Sequence, residues 1–181
     1  MQFIKQGYGV LINLGSVESE TPLAYQTTYS ASKAAVRNLS LALGQELRLN
    51  GYKKIKVVTI EPWAVDTPWW RHAANYSGVT PKMALMDEPV KVVNAILRKS
   101  LRPKKIVPVG WKAKGSSFMA NVFPRFNEWL TANISHKYQI KMPPAAPPTE
   151  GSIHKPMQEG QGVDDGVDER MEQERSKGGK G

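Results

Sequence analysis

Three short apolar runs constrain this chain more than any other feature: Gly9-Val-Leu-Ile-Asn-Leu-Gly15, Ile55-Lys-Val-Val-Thr-Ile60 and Lys105-Ile-Val-Pro-Val-Gly110. None alternates apolar with polar residues as a strand with one wet face does. Runs of this kind suit strands covered on both faces, which is the condition of a parallel sheet. Helical patterns separate them. From Gln26 to Asn50, Ala35, Leu39, Leu43 and Leu47 recur at every fourth position, with Val36 and Leu49 widening the stripe, and Asn50-Gly51 is a stop signal. A second helix opens at Glu88-Pro89 with Asp87 as its cap, shows Val92, Val93, Ile96 and Leu97 on one face, and is closed by Pro103. Strand, helix, strand, helix, strand predicts right-handed crossovers and an α/β fold. Pro108 cannot donate to a ladder, so the third strand belongs at a sheet edge or ends there.

The remainder is less regular. Asp66 to Met86 reads as an irregular segment, and Ser116 to Asn133 as an amphipathic helix broken at Pro124. After Met142 the sequence turns to Pro-Pro-Ala-Ala-Pro-Pro and a polar, Gly-rich tract. This composition divides the chain into a folded part, residues 1–142, and a disordered tail, residues 143–181.

The net charge of +9 is unevenly spread. The tail carries five basic and eight acidic residues, which leaves +12 for residues 1–142. Those cations are scattered rather than clustered, which argues against nucleic acid as a partner. Trp111, Phe118, Phe123, Phe126 and Trp129 interleave with Lys112, Lys114 and Arg125. Packing of this segment on the body explains that pattern better than contact with a membrane surface does. The absence of cysteine excludes disulfide and thiol chemistry and fits a cytoplasmic protein. No apolar run reaches the ~18 residues that a membrane span needs.

Chemistry concentrates at Tyr29-Ser-Ala-Ser-Lys33. Residues four apart share a helix face, so a phenol and an ammonium stand together near the start of the first helix. Thirteen positions earlier, Ser16 lies at the carboxyl end of the first strand, where open parallel sheets bind ligands. A phenol with an ordinary pKa of ~10 cycles poorly at neutral pH, and a nearby ammonium favours its ionised form. A hydroxyl such as Ser16 can hold a substrate oxygen for proton transfer. After the second strand comes a third element, Pro62-Trp-Ala-Val-Asp-Thr67.

In combination, Asn13-Leu-Gly-Ser16, Tyr29-Ser-Ala-Ser-Lys33 and Pro62-Trp-Ala-Val-Asp-Thr67 resemble the short-chain dehydrogenases/reductases, over about residues 3–110. The resemblance implies a Rossmann-like, doubly wound parallel sheet. It also implies hydride transfer between NAD or NADP and an alcohol/carbonyl substrate, with the choice of cofactor open. By that resemblance Ser16 holds the substrate oxygen, and Tyr29 gives or takes the proton. Lys33 lowers the tyrosine pKa and contacts the nicotinamide ribose. Pro62, Val65 and Thr67 contact the cofactor. Trp63 stands where the family has glycine, and with Trp69 and Trp70 it falls on or near the segment that shapes the substrate site.

The family's Gly-rich phosphate loop has no counterpart here, since Ile12 stands where the last glycine after Gly7 and Gly9 would be. The expectation is therefore a C-terminal catalytic half only, with the N-terminal half of the fold missing. The complete protein is expected to be a homo-oligomer. The competing readings are an inactive truncated fragment and a non-enzymatic interaction module.

Overall fold

The computed structural model describes residues 2–80, 82–83, 85–167, 169 and 172–173. It divides into two compact units, Met1–Trp63 with Val90–Thr131, and Ala64–Pro89 with Ala132–Gly181.

The first unit is built on a parallel sheet in the order β1 (Gly9–Leu14), β2 (Ile55–Glu61), β3 (Ile106–Pro108). The register pairs Gly9 with Ile55 and Leu14 with Ile60 on one side of β2, and Thr59 with Ile106 on the other. Pro108 closes the edge strand β3, where its missing N–H costs no ladder bond. Alternate residues of β2 point to opposite faces. Val58 and Ile60 are fully buried with Val107 and Val109, and Val92, Ala95 and Ile96 of α4 (Pro89–Leu101) pack on them together with Val10 and Ile12. The opposite face carries Val57 and Glu61, and α2 (Thr27–Leu49) lies there. Helices cover both faces, as the unalternating apolar runs require.

The side of α2 that meets the sheet differs from the expected stripe. Ser40, buried, accepts from the Asn13 amide at 2.8 Å and donates to the Val36 carbonyl. Arg37 reaches Glu61. Leu39 and Leu49 are instead 65% and 72% exposed. Small and hydrogen-bonding residues let the helix lie close to the strands, and part of the leucine stripe faces outward.

The expectation of an α/β fold without its N-terminal half is corrected at this point. The N-terminal portion of the chain carries the Rossmann-like parallel sheet itself, beginning at Gly9, with helices on both faces. The rest of the unit is helical: α1 (Gln2–Gln6) precedes the sheet, and α5 (Gly110–Val122) follows it. Then α6 (Pro124–His136) begins where Pro124 was expected to break a single helix.

In the second unit, the segment expected to be irregular contains one short helix, α3 (Trp69–His72). Val65 bridges Asp87 in parallel, and the Asp66 N–H donates to the Asp87 carbonyl at 2.9 Å. Residues 145–167, within the compositional tail, are paired with this segment. Asn75 bridges Thr149 and Val79 bridges Ala145. Arg71 forms ion pairs with Glu159 and Asp165, and the Val167 N–H donates to the Asp66 carboxylate. Residues 168, 170, 171 and 174–181 of the tail lie outside the described residues.

Candidate functional site

The site grows from the end of β1. Gly15 hydrogen-bonds the Ile60 carbonyl at 2.8 Å and stands tight against β2: a Cβ there would come within 2.8 Å of Thr59 Cγ2. Only a residue without a side chain lets the strand leave the sheet at this point. The chain then folds into a single 3-10 turn, Val17–Ser19, capped by Ser16. The Ser16 hydroxyl accepts the Glu18 N–H at 3.2 Å, and the Ser19 hydroxyl accepts the Ser16 N–H at 3.3 Å. Val17 donates to the Pro62 carbonyl at 3.1 Å, which ties the turn to the end of β2.

Side-chain hydrogen bonds fasten this turn to α2. Ser19 donates to the Lys33 carbonyl at 3.1 Å, and Ser30 donates to Glu18 Oε2 at 2.6 Å. The structure brings three of the expected residues together. The hydroxyls of Ser16 and Tyr29 are hydrogen-bonded. Lys33 Nζ sits 5.5 Å from the centre of the Tyr29 ring and donates to the Leu14 carbonyl at 3.0 Å. Pro62 adjoins the same turn through its carbonyl.

The electrostatics depart from the expected picture. Burial pushes the Tyr29 phenol above its ordinary value, the Ser16 hydrogen bond pulls it back, and the Glu18 charge pushes it up again. Lys33 does not enter that balance. Its own ammonium is held below its ordinary value by burial, against the pull of Glu18. Glu18 itself, 7% exposed, is raised to about 7 by burial, opposed by Ser30 and Lys33.

Glu18 and Ser30 were not singled out from the sequence. The only hint there was proximity: one carboxylate two places after Ser16 and one hydroxyl beside Tyr29. A solvated Ser-Val-Glu-Ser-Glu loop would look the same.

The other expected residues are placed separately. Trp63 is half-buried at the boundary of the first unit. In the second unit, the Val65 carbonyl accepts the indole N–H of buried Trp70 at 2.8 Å, and the Thr67 carbonyl accepts the Trp70 N–H. Trp69 meets Trp70 edge to face at 4.9 Å and stays 42% exposed. That unit also has an open depression lined by His72 and residues 152–157, which contains none of the expected residues. Among the described residues no cluster of His, Asp or Glu could hold a metal ion, and no helix is long and apolar enough to cross a membrane.

Comparison with known proteins bears on the same stretch. Residues 1–76 match the family model described as short chain dehydrogenase. The uncharacterized oxidoreductase YxnA of Bacillus subtilis is 28% identical over 148 residues, 81% of this chain and 41% of that protein. Ipsdienol dehydrogenase of Ips pini is 35% identical over 95 residues, 49% of this chain and 36% of that protein. A short chain dehydrogenase from Burkholderia cenocepacia in complex with NADP shares the fold with a TM-score of 0.56 at 20% identity, over 71% of this chain and 49% of that one. A short-chain dehydrogenase from Sphingobium yanoikuyae in complex with NADPH gives a TM-score of 0.51 at 27% identity, over 66% of this chain and 45% of that one. The chain thus spans less than half the length of each.

The family match overturns the expectation of a C-terminal half only. It begins at residue 1 and covers the N-terminal part of this chain. That expectation weighed the lack of a Gly-rich loop. The likeness is carried instead by the strand-end serine, the Tyr29–Lys33 helix and β2, all inside the matched stretch. Over residues 1–76, and in its sheet, this chain is similar to the short chain dehydrogenases, and the relatives it resembles are oxidoreductases.

Proposed function

We propose that this protein is an NAD(P)-dependent oxidoreductase that interconverts an alcohol and a carbonyl compound, with Tyr29 as the acid–base group. The observation that carries the reading is the hydrogen-bonded pair of hydroxyls, Ser16 and Tyr29, with the Lys33 ammonium 5.5 Å from the phenol ring. Two hydroxyls in contact can share one substrate oxygen. Ser16 accepts the Glu18 N–H through a lone pair, so the hydrogen it shares with Tyr29 can be turned to that oxygen. Tyr29 then gives its proton to the oxygen as a carbonyl is reduced, or takes it as an alcohol is oxidised. General acid–base catalysis of this kind contributes ~10²–10⁴-fold. Burial raises the phenol further above neutrality, so it stands protonated as the donor role requires.

The nicotinamide cofactor, when bound, supplies or accepts the hydride. The donor set fits its ribose end. Lys33 uses one of its three N–H bonds on the Leu14 carbonyl, which leaves two to hold hydroxyls beside Tyr29. Within the same unit, Pro62 is a further proposed cofactor contact and Trp63 a proposed substrate contact. NADP is favoured over NAD by the NADPH complex of the Sphingobium relative. The reading also takes the protein as a homo-oligomer associating through the outward face of α2, where Leu39 is 65% exposed.

Fluorescence titration with NADH and NADPH, followed by turnover assays on a panel of secondary alcohols and ketones, tests the reading. The expected result is saturable binding of one dinucleotide and reduction of at least one ketone. Absence of both in a cooperatively folded protein overturns it.

A further inference from the structure

The least expected feature of the site is a carboxyl group beside the phenol. We propose that Glu18 is a positioning residue of this site: its backbone N–H orients the Ser16 hydroxyl, and the charge on its side chain sets how readily Tyr29 ionises. The proposal rests on the reading of Tyr29 as the acid–base group.

The geometry has three parts. First, Glu18 and Ser16 belong to one turn, and the Glu18 N–H occupies a lone pair of Ser16 at 3.2 Å. That bond directs the Ser16 hydrogen away from the turn and toward Tyr29. Second, the Glu18 carboxyl group points inward and is 7% exposed, held by the Ser30 hydroxyl at 2.6 Å. Ser30 follows Tyr29 directly and also accepts the Leu23 N–H at 3.3 Å, so it cannot swing away without losing two bonds. The carboxyl group is thereby fixed relative to the phenol. Third, neighbouring charges are engaged elsewhere. Arg37 of α2 is held by Glu20 and Glu61, Ser117 of α5 donates to Glu20, and Lys33 alone attracts Glu18. The other titratable groups on the elements around the turn are Glu46 and Arg48 of α2, Lys56 of β2 and Lys112 and Lys114 of α5, and none of them figures in the balance at Glu18.

A fixed charge in a water-poor place acts strongly on its neighbours. An ionised Glu18 opposes formation of the Tyr29 phenolate and favours the charged form of Lys33. A protonated Glu18 does neither. With a midpoint of about 7, Glu18 switches between these states near neutrality. The Tyr29 phenolate is therefore reached less readily beside an ionised Glu18 than beside a neutral side chain at the same place.

Glu18→Gln separates this role from a structural one, because glutamine keeps an acceptor for Ser30 while losing the charge. Tyrosinate absorbance titration of the full chain, with the curve of Tyr29→Phe subtracted, isolates Tyr29 from the other five tyrosines. The expected result is a lower Tyr29 midpoint in Glu18→Gln than in the wild-type chain. An unchanged midpoint in a variant that melts as the wild type does overturns the proposal. Should Glu18→Gln fail to fold, carboxyl NMR of the wild-type protein decides: one glutamate must titrate near 7, and its midpoint must climb in Ser30→Ala. A Glu18 midpoint that stays put in Ser30→Ala overturns the placement of the carboxyl group on which the proposal rests. None of these readouts needs turnover, so a protein without dehydrogenase activity would fail the functional reading while leaving Glu18 testable. Where turnover is found, the acid limb of alcohol oxidation should move to lower pH in Glu18→Gln.

Discussion

Arg37 grips Glu61 with both carboxylate oxygens 2.8 Å from one guanidinium nitrogen, Nη1. Glu61 is the last residue of β2 and is 1% exposed. The other guanidinium nitrogen, Nη2, pairs with Glu20, which in turn accepts from Ser117. A single arginine on α2 therefore ties together the end of β2, the turn after Ser16 and α5. Burial raises the Glu61 carboxyl group, and Arg37 pulls it back down.

Arg37→Met tests this arrangement. Methionine replaces much of the volume but leaves Glu61 buried without its cation. Breaking a buried pair in this way costs about 3–5 kcal/mol. Urea unfolding should show that loss. The double variant Arg37→Met, Glu61→Gln should recover a large part of it, because the stranded charge is gone. A single variant as stable as the wild type would mean that the pair adds nothing to the fold.

How much of this was legible in the sequence depends on the range of the interaction. The three strands and the two helices between them were legible, because unalternating Val, Ile and Leu runs separated by helical patterns suit a parallel sheet covered on both faces. Ser16, Tyr29 and Lys33 were legible as neighbours, because strand-end placement and a four-residue helical spacing are local geometry. The side of α2 that meets the sheet was not. Periodicity points to Leu39, whereas the fold buries Ser40 and engages Arg37 for partners 24 and 27 residues away. Composition gives no sign that Thr149 and Ala145 pair with Asn75 and Val79. Nor could Glu18 be separated from Glu20 in Ser-Val-Glu-Ser-Glu, since only the folded turn aims one at Ser30 and the other at Arg37.

Gly15→Ala should damage both stability and the site. The added methyl would stand 2.8 Å from Thr59 Cγ2 and 3.2 Å from Glu61 Cγ, so either β2 or the turn must shift. Overpacking of this kind typically costs about 1–3 kcal/mol. Since Ser16 follows directly, the hydroxyl pair with Tyr29 moves too. A thermal melt lowered by several degrees, with a changed Tyr29 titration, is the expected outcome. An unaltered melt would show that the turn has slack.

Tyr29→Phe and Lys33→Ala should divide two roles that the proposed reading assigns. The phenylalanine variant keeps the ring and loses only the transferable proton, so turnover should fall by about 10²-fold or more while dinucleotide affinity holds. The alanine variant removes the ammonium that would hold the ribose, so it should weaken dinucleotide binding as well. Steady-state kinetics and fluorescence titration on the same preparations measure both effects. A phenylalanine variant with wild-type turnover would move the acid–base role to another group.

The raised Glu18 carboxyl group makes a prediction about stability against pH. Its ordinary value is 4.5 and its folded value about 7, so the folded state binds a proton that the unfolded state releases. For a group raised on folding, the stabilising contribution is complete below the unfolded value and is lost as pH climbs through the folded one. Between about pH 4.5 and pH 7 the wild-type protein should therefore lose about 3 kcal/mol from this group, because a tenfold difference in proton affinity between the folded and unfolded states is worth about 1.4 kcal/mol. Glu61, raised in the same direction, adds to the slope. Comparison with Glu18→Gln removes that contribution, since glutamine does not titrate and Glu61 is common to both. Urea unfolding at about pH 5 and about pH 8 should find the wild type losing stability relative to the variant as the pH rises. An equal difference at the two pH values would place the Glu18 titration outside this window, and with it the claim that burial governs its charge.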